Sequence, residues 1–496
     1  MIEKNKEYIV DIIDNGLDGQ GIAKIDNFTI FVDQTTKGEK VKILILKVNK
    51  NYAYAKALEI LQKSPNRIET DCSTYKKCGG CSLRFLEYEE TLDIKEEMVR
   101  NCIKKALGKE IKINKTIGMG NPYNYRNKLQ YPLGLNEQGK PTMGVYAKRT
   151  HKIIPVQKCE IQNELSEKIA KSIFEYCVKN DVSMYNEKSL KGIMRHIVIR
   201  IGVMTNEIMV ILVINEKFPK IEQFVKELIS KYSEIKTIVL NYNTKNTNVI
   251  LGHKNEIVYG DGYIYDILGD YKFKISPMSF YQTNVTQTEV LYNKALEYAE
   301  LTGNETVLDL YCGIGTIGIF ASKKAKQIYG IEIVENAIKD AKENAKINHI
   351  QNAKFYCGDV EEILPQIIKQ TNLKPQTIFV DPPRKGLDTK TIQTILNLKP
   401  QKLIYISCNP STLARDLAML DTAYEIKEIT PVDMFPYTRT RWVRYGAICK
   451  RNPVILEFTA FHRFYTFEPK ATFGTKKEEI DRIFVKVEFN LECGNI

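Results

Sequence analysis

No apolar run in the 496-residue chain approaches the length needed to cross a bilayer, so the sequence excludes a transmembrane helix. The amino terminus, MIEKNKEYIV, lacks both the apolar core and the cleavage site of a secretory signal, and a cytoplasmic protein is expected. No internal repeat and no low-complexity segment is present, which sets aside a repeat array. What is there is ordinary for a soluble protein: 43% hydrophobic and 27% charged residues, in a chain long enough for several cores. Eleven cysteines are an odd number in a large chain. In a reducing compartment, clustered cysteines point to metal binding or chemistry rather than disulfides. The net charge of +12 and the pI near 8.9 fit a phosphate-rich partner.

Four regions follow from the patterning. Residues 1–62 alternate short strands with turns, such as Tyr8–Ile13, Gly21–Ile25, Thr29–Val32, Val41–Ile45 and Tyr52–Lys56. Their spacing predicts a five-stranded barrel of the OB type, a fold that often binds single-stranded nucleic acid. Residues 63–270 hold a cysteine cluster, a helix and a mixed α+β segment with the strand-like run Ile193–Arg200; its topology is not legible. Residues 271–450 begin with a helix pattern at Glu289–Leu301, stopped by Gly303, and then alternate strand and helix. Strands are predicted at Thr306–Leu310, Gln327–Ile331, Lys354–Cys357, Gln376–Val380 and Leu403–Ser407. Helices are predicted from Thr316, Val334, Val360, Asp388 and Ser411, the rhythm of a doubly wound α/β sheet. Residues 451–496 form a tail with no assignable role.

The strand ends carry the chemistry. Leu403-Ile404-Tyr405-Ile406 leads into Ser407-Cys408-Asn409-Pro410, which holds a thiol at a strand's carboxyl end. The turn Asp309-Leu310-Tyr311-Cys312-Gly313-Ile314-Gly315 lets the backbone approach a ligand closely. Glu332 ends the second strand, where a carboxylate can accept bonds from two ribose hydroxyls. Asp359, after the third, is placed to meet an adenine amino group. No third glycine completes a dinucleotide fingerprint, so S-adenosyl-L-methionine fits better than NAD. Asp381-Pro382-Pro383-Arg384-Lys385-Gly386 presents a rigid carboxylate, because two prolines fix the backbone. Asp-Pro-Pro loops also serve methylases of exocyclic amines, which need no cysteine. C5 of a pyrimidine is a poor nucleophile, and a thiolate adding at C6 activates it. Cys408 is therefore the predicted nucleophile of a methyltransferase, and a second group must act as base.

Two further clusters lie upstream. Cys72, Cys78 and Cys81, with Cys159 further on, supply four candidate thiolate ligands for zinc or an iron–sulfur cluster, and spacing barely separates the two. Tyr123-Asn124-Tyr125-Arg126-Asn127-Lys128 mixes aromatics and cations, a pattern that can stack bases and hold phosphates.

Taken together, these runs resemble the RNA uracil-C5 methyltransferases, and most of all their bacterial 23S ribosomal RNA branch. The resemblance covers residues 1 to about 437. It implies a TRAM barrel of the OB type, an α+β centre with an iron–sulfur loop, and a Rossmann-like class I methyltransferase. It further implies that Cys72, Cys78, Cys81 and Cys159 hold a [4Fe–4S] cluster, which decides against zinc. Ser276–Asn284 resembles the family segment whose glutamine touches the cofactor, here Gln282. Tyr311, Glu332 and Asp381 match other contacts to S-adenosyl-L-methionine, with Asp359 a further candidate. Cys408 falls on the nucleophile, and Arg126 on a residue that helps hold the flipped-out RNA target. The implied product is 5-methyluridine, and the implied partner is RNA, with no membrane.

One departure stands out. After Pro431–Thr438 the family continues to a His-Val-Glu whose glutamate is the general base; here the chain reads Arg439-Thr440-Arg441-Trp442-Val443-Arg444. A frame disruption in the coding sequence is the first explanation and a diverged terminus the second; a clean in-frame read across codons 438–450 excludes the first. Without that base, attack and methylation are expected to proceed while elimination slows, and the last strand of the sheet is expected to be damaged. The alternatives are the same reaction on transfer RNA, and a catalytically impaired RNA-binding or assembly protein. A zinc-dependent redox protein is a more remote one.

Overall fold

The computed structural model describes residues 2–148, 150–438 and 444–451, the last of these as backbone. The first sheet is built from β1 (Glu7–Asp11), β2 (Asp14–Asn15), β3 (Gly21–Ile25), β4 (Phe28–Asp33), β5 (Lys40–Val48) and β6 (Tyr52–Gln62). Its order is β1-β5-β6-β4-β3-β2. Alternation positions the core: Val41, Ile43 and Ile45 of β5 point inward with Ala53 and Ala55 of β6, while the intervening side chains face out. The sequence reading has five strands here and the structure six. The extra strand, β2, pairs with β3 across the Gly16–Gln20 turn, so it lies within a segment that reads as turn from its Asn and Gly.

The cysteine loops come next, followed by helix α1 (Tyr88–Leu107) and β7 (Lys112–Ile113). A second sheet then takes in β8 (Lys128–Leu135), β9 (Pro141–Tyr146), β10 (Ile153–Pro155), β11 (Met194–Ile201), β12 (Ile208–Ile214), β13 (Ile235–Tyr242) and β14 (Lys254–Tyr259). Their order is β10-β9-β8-β11-β12-β13-β14, antiparallel except between β12 and β13. Helices α2 (Glu164–Lys179) and α3 (Ile221–Lys231) cover one face. The other face packs into the core shared with the hairpin β15 (Ile264–Leu268) and β16 (Tyr271–Ile275). This explains why β12 reads as an unbroken apolar run and why β11 shows no alternation: every residue in both is buried.

The third sheet carries the chemistry. Helix α4 (Val285–Ala299) precedes β17 (Thr306–Leu310), α5 (Thr316–Ala321), β18 (Gln327–Glu332), α6 (Glu335–Ile347), β19 (Ala353–Cys357) and α7 (Val360–Thr371). Then come β20 (Thr377–Val380), α8 (Thr389–Leu398), β21 (Lys402–Ser407), α9 (Pro410–Leu420), β22 (Tyr424–Val432) and β23 (Arg444–Arg451). The order is β19-β18-β17-β20-β21-β23-β22-β7, with β17 to β21 parallel. The predicted strands of this region are found within one residue at each end. Helix α4 starts four residues earlier than its apolar pattern suggests, because Asn284 caps it by accepting from the Gln287 amide at 3.2 Å. The expectation of a damaged last strand is corrected: the backbone of β23 pairs along its length with both β21 and β22. β7 and α1 come from far upstream yet join this sheet, β7 at its edge and α1 against its core.

Candidate active site

Sheet order reverses at β17, which has β18 on one side and β20 on the other. Such a switch point opens a crevice beyond the carboxyl ends of the strands, and Tyr311, Glu332, Asp359, Asp381 and Cys408 all follow strand ends there. Tyr311 takes φ +64°, a left-handed conformation costly for an aromatic residue, which turns the chain sharply out of β17. Burial pushes its hydroxyl up to about 12, against a hydrogen bond with Thr391. Gly313 also has positive φ, and a side chain there would meet open space, so the loop leaves room for a ligand. Gly315 is different: a Cβ would come within 2.9 Å of the Phe355 ring, so close packing requires glycine.

Glu332 accepts from the Gly313 amide at 3.2 Å and from the Val334 amide at 3.0 Å. This fixes the carboxylate under the glycine turn, with lone pairs to spare. The side chains after it, Ile333 and Val334, are exposed although apolar (62% and 49%), an apolar lip suited to a flat ring. Asp359 caps α7 by accepting from the Glu361 amide at 2.9 Å.

Asp381 and Cys408 stand on adjacent parallel strands, with Val380 opposite Tyr405. Their loops are tied together. Asn409 donates to the Arg384 carbonyl at 3.3 Å, and Thr412 does the same at 3.3 Å. Buried Asp416 of α9 accepts from the Leu387 amide at 2.8 Å and the Tyr405 hydroxyl at 2.6 Å. Arg415 donates to the carbonyls of Lys385 and Leu387. The Asp-Pro-Pro loop and the thiol-bearing turn are therefore tied together by side-chain bonds from both sides. Cys408 itself is half-buried at the start of α9, where Asn409 caps the helix.

Gln282 lies buried in the Ser276–Asn284 segment, which is held from several sides. Ser276 donates to Asp340 of α6 at 3.0 Å, and Arg200 donates to the Ser279 carbonyl at 2.7 Å. Asn127 donates to the Gln282 carbonyl at 2.8 Å. Arg126, next in sequence to Asn127, lines a cavity of about 400 Å3 with Tyr123 and Val285, and its buried Nε has no partner. The structure thus brings Arg126 beside the Gln282 segment.

Sequence reasoning treats Asp309 only as a strand residue, but it is buried within electrostatic range of Asp381 and Glu332. It is fully buried, accepts from the Gly318 amide at 2.9 Å through one oxygen, and leaves the other oxygen without a partner. Burial pushes its carboxyl up to about 8, and the nearby Asp381 and Glu332 carboxylates add to the rise. The Glu332 carboxylate under the glycine turn, open space at Gly313 and an apolar lip together fit an adenosyl ligand. Because its native value is raised, folded protein keeps a proton that the unfolded chain has lost between about pH 4 and about pH 8. Stability of the donor-free enzyme is expected to fall as pH rises through that window. Urea midpoints against pH should show this slope flattened in Asp309→Asn.

The four upstream cysteines are free thiols gathered by backbone contacts. Cys78 bridges to Ala147 and Cys81 to Thr438, while the Cys159 amide donates to Glu167 at 3.1 Å. Burial lifts the thiols of Cys78, Cys81 and Cys159, and each of these three also feels the charge of others in the set. Among the described residues no grouping of three or more His, Cys, Asp or Glu side chains is arranged to hold a metal. The donor chemistry nevertheless suits one: four soft, sheltered thiols in mutual electrostatic range. Beside them Arg84 is paired through two bonds with Asp71 and lies over the rings of Tyr123 (5.0 Å) and Tyr437 (4.7 Å).

The sequence profile described as tRNA (Uracil-5-)-methyltransferase matches residues 87–443, and that of the TRAM domain matches residues 3–58. The chain belongs to the tRNA (uracil-5-)-methyltransferase family. Relatives named as RNA methyltransferases agree. One from Clostridium tetani is 44% identical over 439 residues, 88% of this chain and 95% of its own. One from Staphylococcus aureus is 45% identical, covering 88% of this chain and 97% of its own. A solved structure of the Pyrococcus abyssi tRNA (uracil-54, C5)-methyltransferase, in complex with S-adenosyl-L-homocysteine, superposes with a TM-score of 0.70 at 27% identity. It covers 90% of this chain and 100% of the archaeal one. This uracil-5-methyltransferase is an RNA-modifying enzyme that takes its methyl group from S-adenosyl-L-methionine. No helix among the described residues is long and apolar enough to cross a membrane. The position of the family's glutamate base falls on residues 439–443, outside the described residues, and the family match stops at Val443.

Proposed function

We propose that the enzyme makes 5-methyluridine in 23S ribosomal RNA through a covalent bond between Cys408 and C6 of the target uracil. The observation that carries this reading is the thiol at the carboxyl end of β21, bonded through its own turn to the Asp-Pro-Pro loop of the neighbouring strand. S-adenosyl-L-methionine supplies an electrophilic methyl group on a positive sulfur. Gln282, Tyr311, Glu332 and Asp381 hold it, with Asp359 at the adenine end and buried Asp309 beneath. Arg126 steadies the extruded base. The Cys408 thiolate adds to C6, and the displaced electrons make C5 nucleophilic. C5 takes the methyl as the methyl–sulfur bond breaks. A base removes the C5 proton, the C6–sulfur bond breaks, and the thiolate returns. With no glutamate in Arg439–Arg444, that last step is slow and the adduct is long-lived.

Residues 1–62 form the RNA-binding barrel, 63–270 the central domain and 271–450 the catalytic domain. Cys72, Cys78, Cys81 and Cys159 would hold a [4Fe–4S] cluster, whose thiolate bonds would tie together the loops that carry them. Anaerobically purified protein should contain iron and acid-labile sulfide in equal amounts, and Cys81→Ser should lose both. A protein with zinc and no sulfide contradicts the cluster. The second reading, transfer RNA as substrate, is favoured by the archaeal structural relative, whose target is tRNA. Parallel labelling of ribosomal and transfer RNA from deficient cells separates the two, because the true substrate alone gains 5-methyluridine.

A further inference from the structure

A cavity of about 1010 Å3 lies at the β8–β9–β10 end of the second sheet, away from the strand-end crevice. Among the described residues it is lined by five Lys or Arg side chains against two Glu. Both glutamates are engaged, Glu137 with Lys152 at 2.6 Å and Glu187 with His151 at 2.9 Å. Lys148 meets Asp33 of β4 at 2.6 Å. Lys77, Lys188 and Arg195 supply the cationic excess. Arg195 is held over the Tyr185 ring at 4.2 Å, and its guanidinium donates to backbone carbonyls rather than to a carboxylate. Half-buried Tyr146 pairs its ring with exposed His151 at 5.3 Å, the planes tilted by 32°, which puts two aromatic rings among the cations.

Cations interleaved with aromatic faces are the chemistry of single-stranded RNA: bases stack and phosphates pair. The cysteine loop links the wall of this groove to the segment around Arg126. The Gly79 amide donates to the Tyr146 carbonyl at 3.3 Å, and Cys78 bridges to Ala147. On the far side of the same loop Cys81 bridges to Thr438, and the Tyr437 ring packs on Tyr123 at 6.0 Å. The cysteine loop thus touches both the cavity wall at Tyr146 and Ala147 and the Tyr437–Tyr123 pair near Arg126.

We propose that this groove binds the single-stranded RNA flanking the target uridine, with bases on Tyr146 and His151 and phosphates on Lys77 and Lys188. The inference rests on the RNA methyltransferase reading and adds a second substrate subsite to it. The probe is a fluorescein-labelled oligouridylate, with a 4-thiouridine version for photocrosslinking, both used with the full chain. Crosslinks mapped by mass spectrometry are expected at Tyr146 or His151. In anisotropy titrations, Lys77→Ala/Lys188→Ala is expected to weaken binding about 10-fold and to reduce the slope of log affinity against log salt by about 1.4, at roughly 0.7 per lost phosphate contact. Crosslinks found only elsewhere, with affinity and slope unchanged in the variant, overturn the groove while leaving the methyltransferase reading intact. A wild-type chain that binds no RNA overturns both.

Discussion

Replacing Cys408 by Ala is expected to lower methyl transfer to the target uridine by at least about 10^4-fold, since C5 stays a poor nucleophile without thiolate addition at C6. The loss should fall on the methyl-transfer step, with RNA affinity and donor binding close to wild type. The reason is local. The Cys408 turn is held by its neighbours: the Ser407 hydroxyl donates to the Asn409 carbonyl at 3.1 Å and accepts from the Asn409 amide at 3.1 Å, and Asn409 caps α9. Removing one sulfur therefore leaves the turn, the Asp-Pro-Pro loop and the crevice in place. Single-turnover kinetics with labelled donor measure the effect. A Cys408→Ala enzyme that retains more than a few per cent of wild-type rate contradicts the nucleophile.

The largest expected effect on stability lies at the buried ion pair of Lys95 with Asp433. Both side chains are fully buried and 2.6 Å apart. Asp433 also accepts from the Tyr88 hydroxyl at 2.9 Å and the Phe435 amide at 3.2 Å. Burial pulls the Lys95 ammonium below the ordinary lysine value, and the Asp433 charge opposes that pull. Asp433→Asn keeps an acceptor for Tyr88 and Phe435 but leaves the ammonium buried without a counter-charge. The expected loss is about 3–5 kcal/mol by urea titration. Adding Lys95→Met should recover most of it, because the unpaired charge rather than the missing bond carries the cost. A single variant within about 1 kcal/mol of wild type sinks this account. The pair matters for function as well, since it fastens α1 to the Pro431–Thr438 segment, which contacts Cys81 and the Tyr88 and Tyr123 rings.

The α/β half of this fold is legible because its parallel strands are short apolar runs, each followed by a turn that breaks the pattern. Glu332, Asp381 and Cys408 sit where the pattern breaks. The central region is not legible for the opposite reason. β11 and β12 are covered on both faces, so neither alternation nor helical spacing survives to show topology. β2 hides in a turn, and β7 is two residues long and pairs with β22, more than three hundred positions away. Lys95 and Asp433 are 338 positions apart, and nothing local marks either as half of a buried pair. The site residues were named from motifs; the ties that hold them together are long-range side-chain contacts. Asp416 bonding Leu387 and Tyr405, and Asn127 bonding Gln282, are of that kind. The groove lined by Tyr146 and Lys77 is assembled from segments more than a hundred positions apart and has no signature in one dimension.

The most direct test of the covalent pathway uses anaerobically purified full chain, a uridine-containing 23S ribosomal RNA fragment and methyl-labelled S-adenosyl-L-methionine, resolved on a denaturing gel. The account predicts label at the combined mass of protein and RNA, absent from Cys408→Ala, because attack and methylation proceed while elimination waits for a base. Label in free RNA, formed equally well by Cys408→Ala, contradicts it.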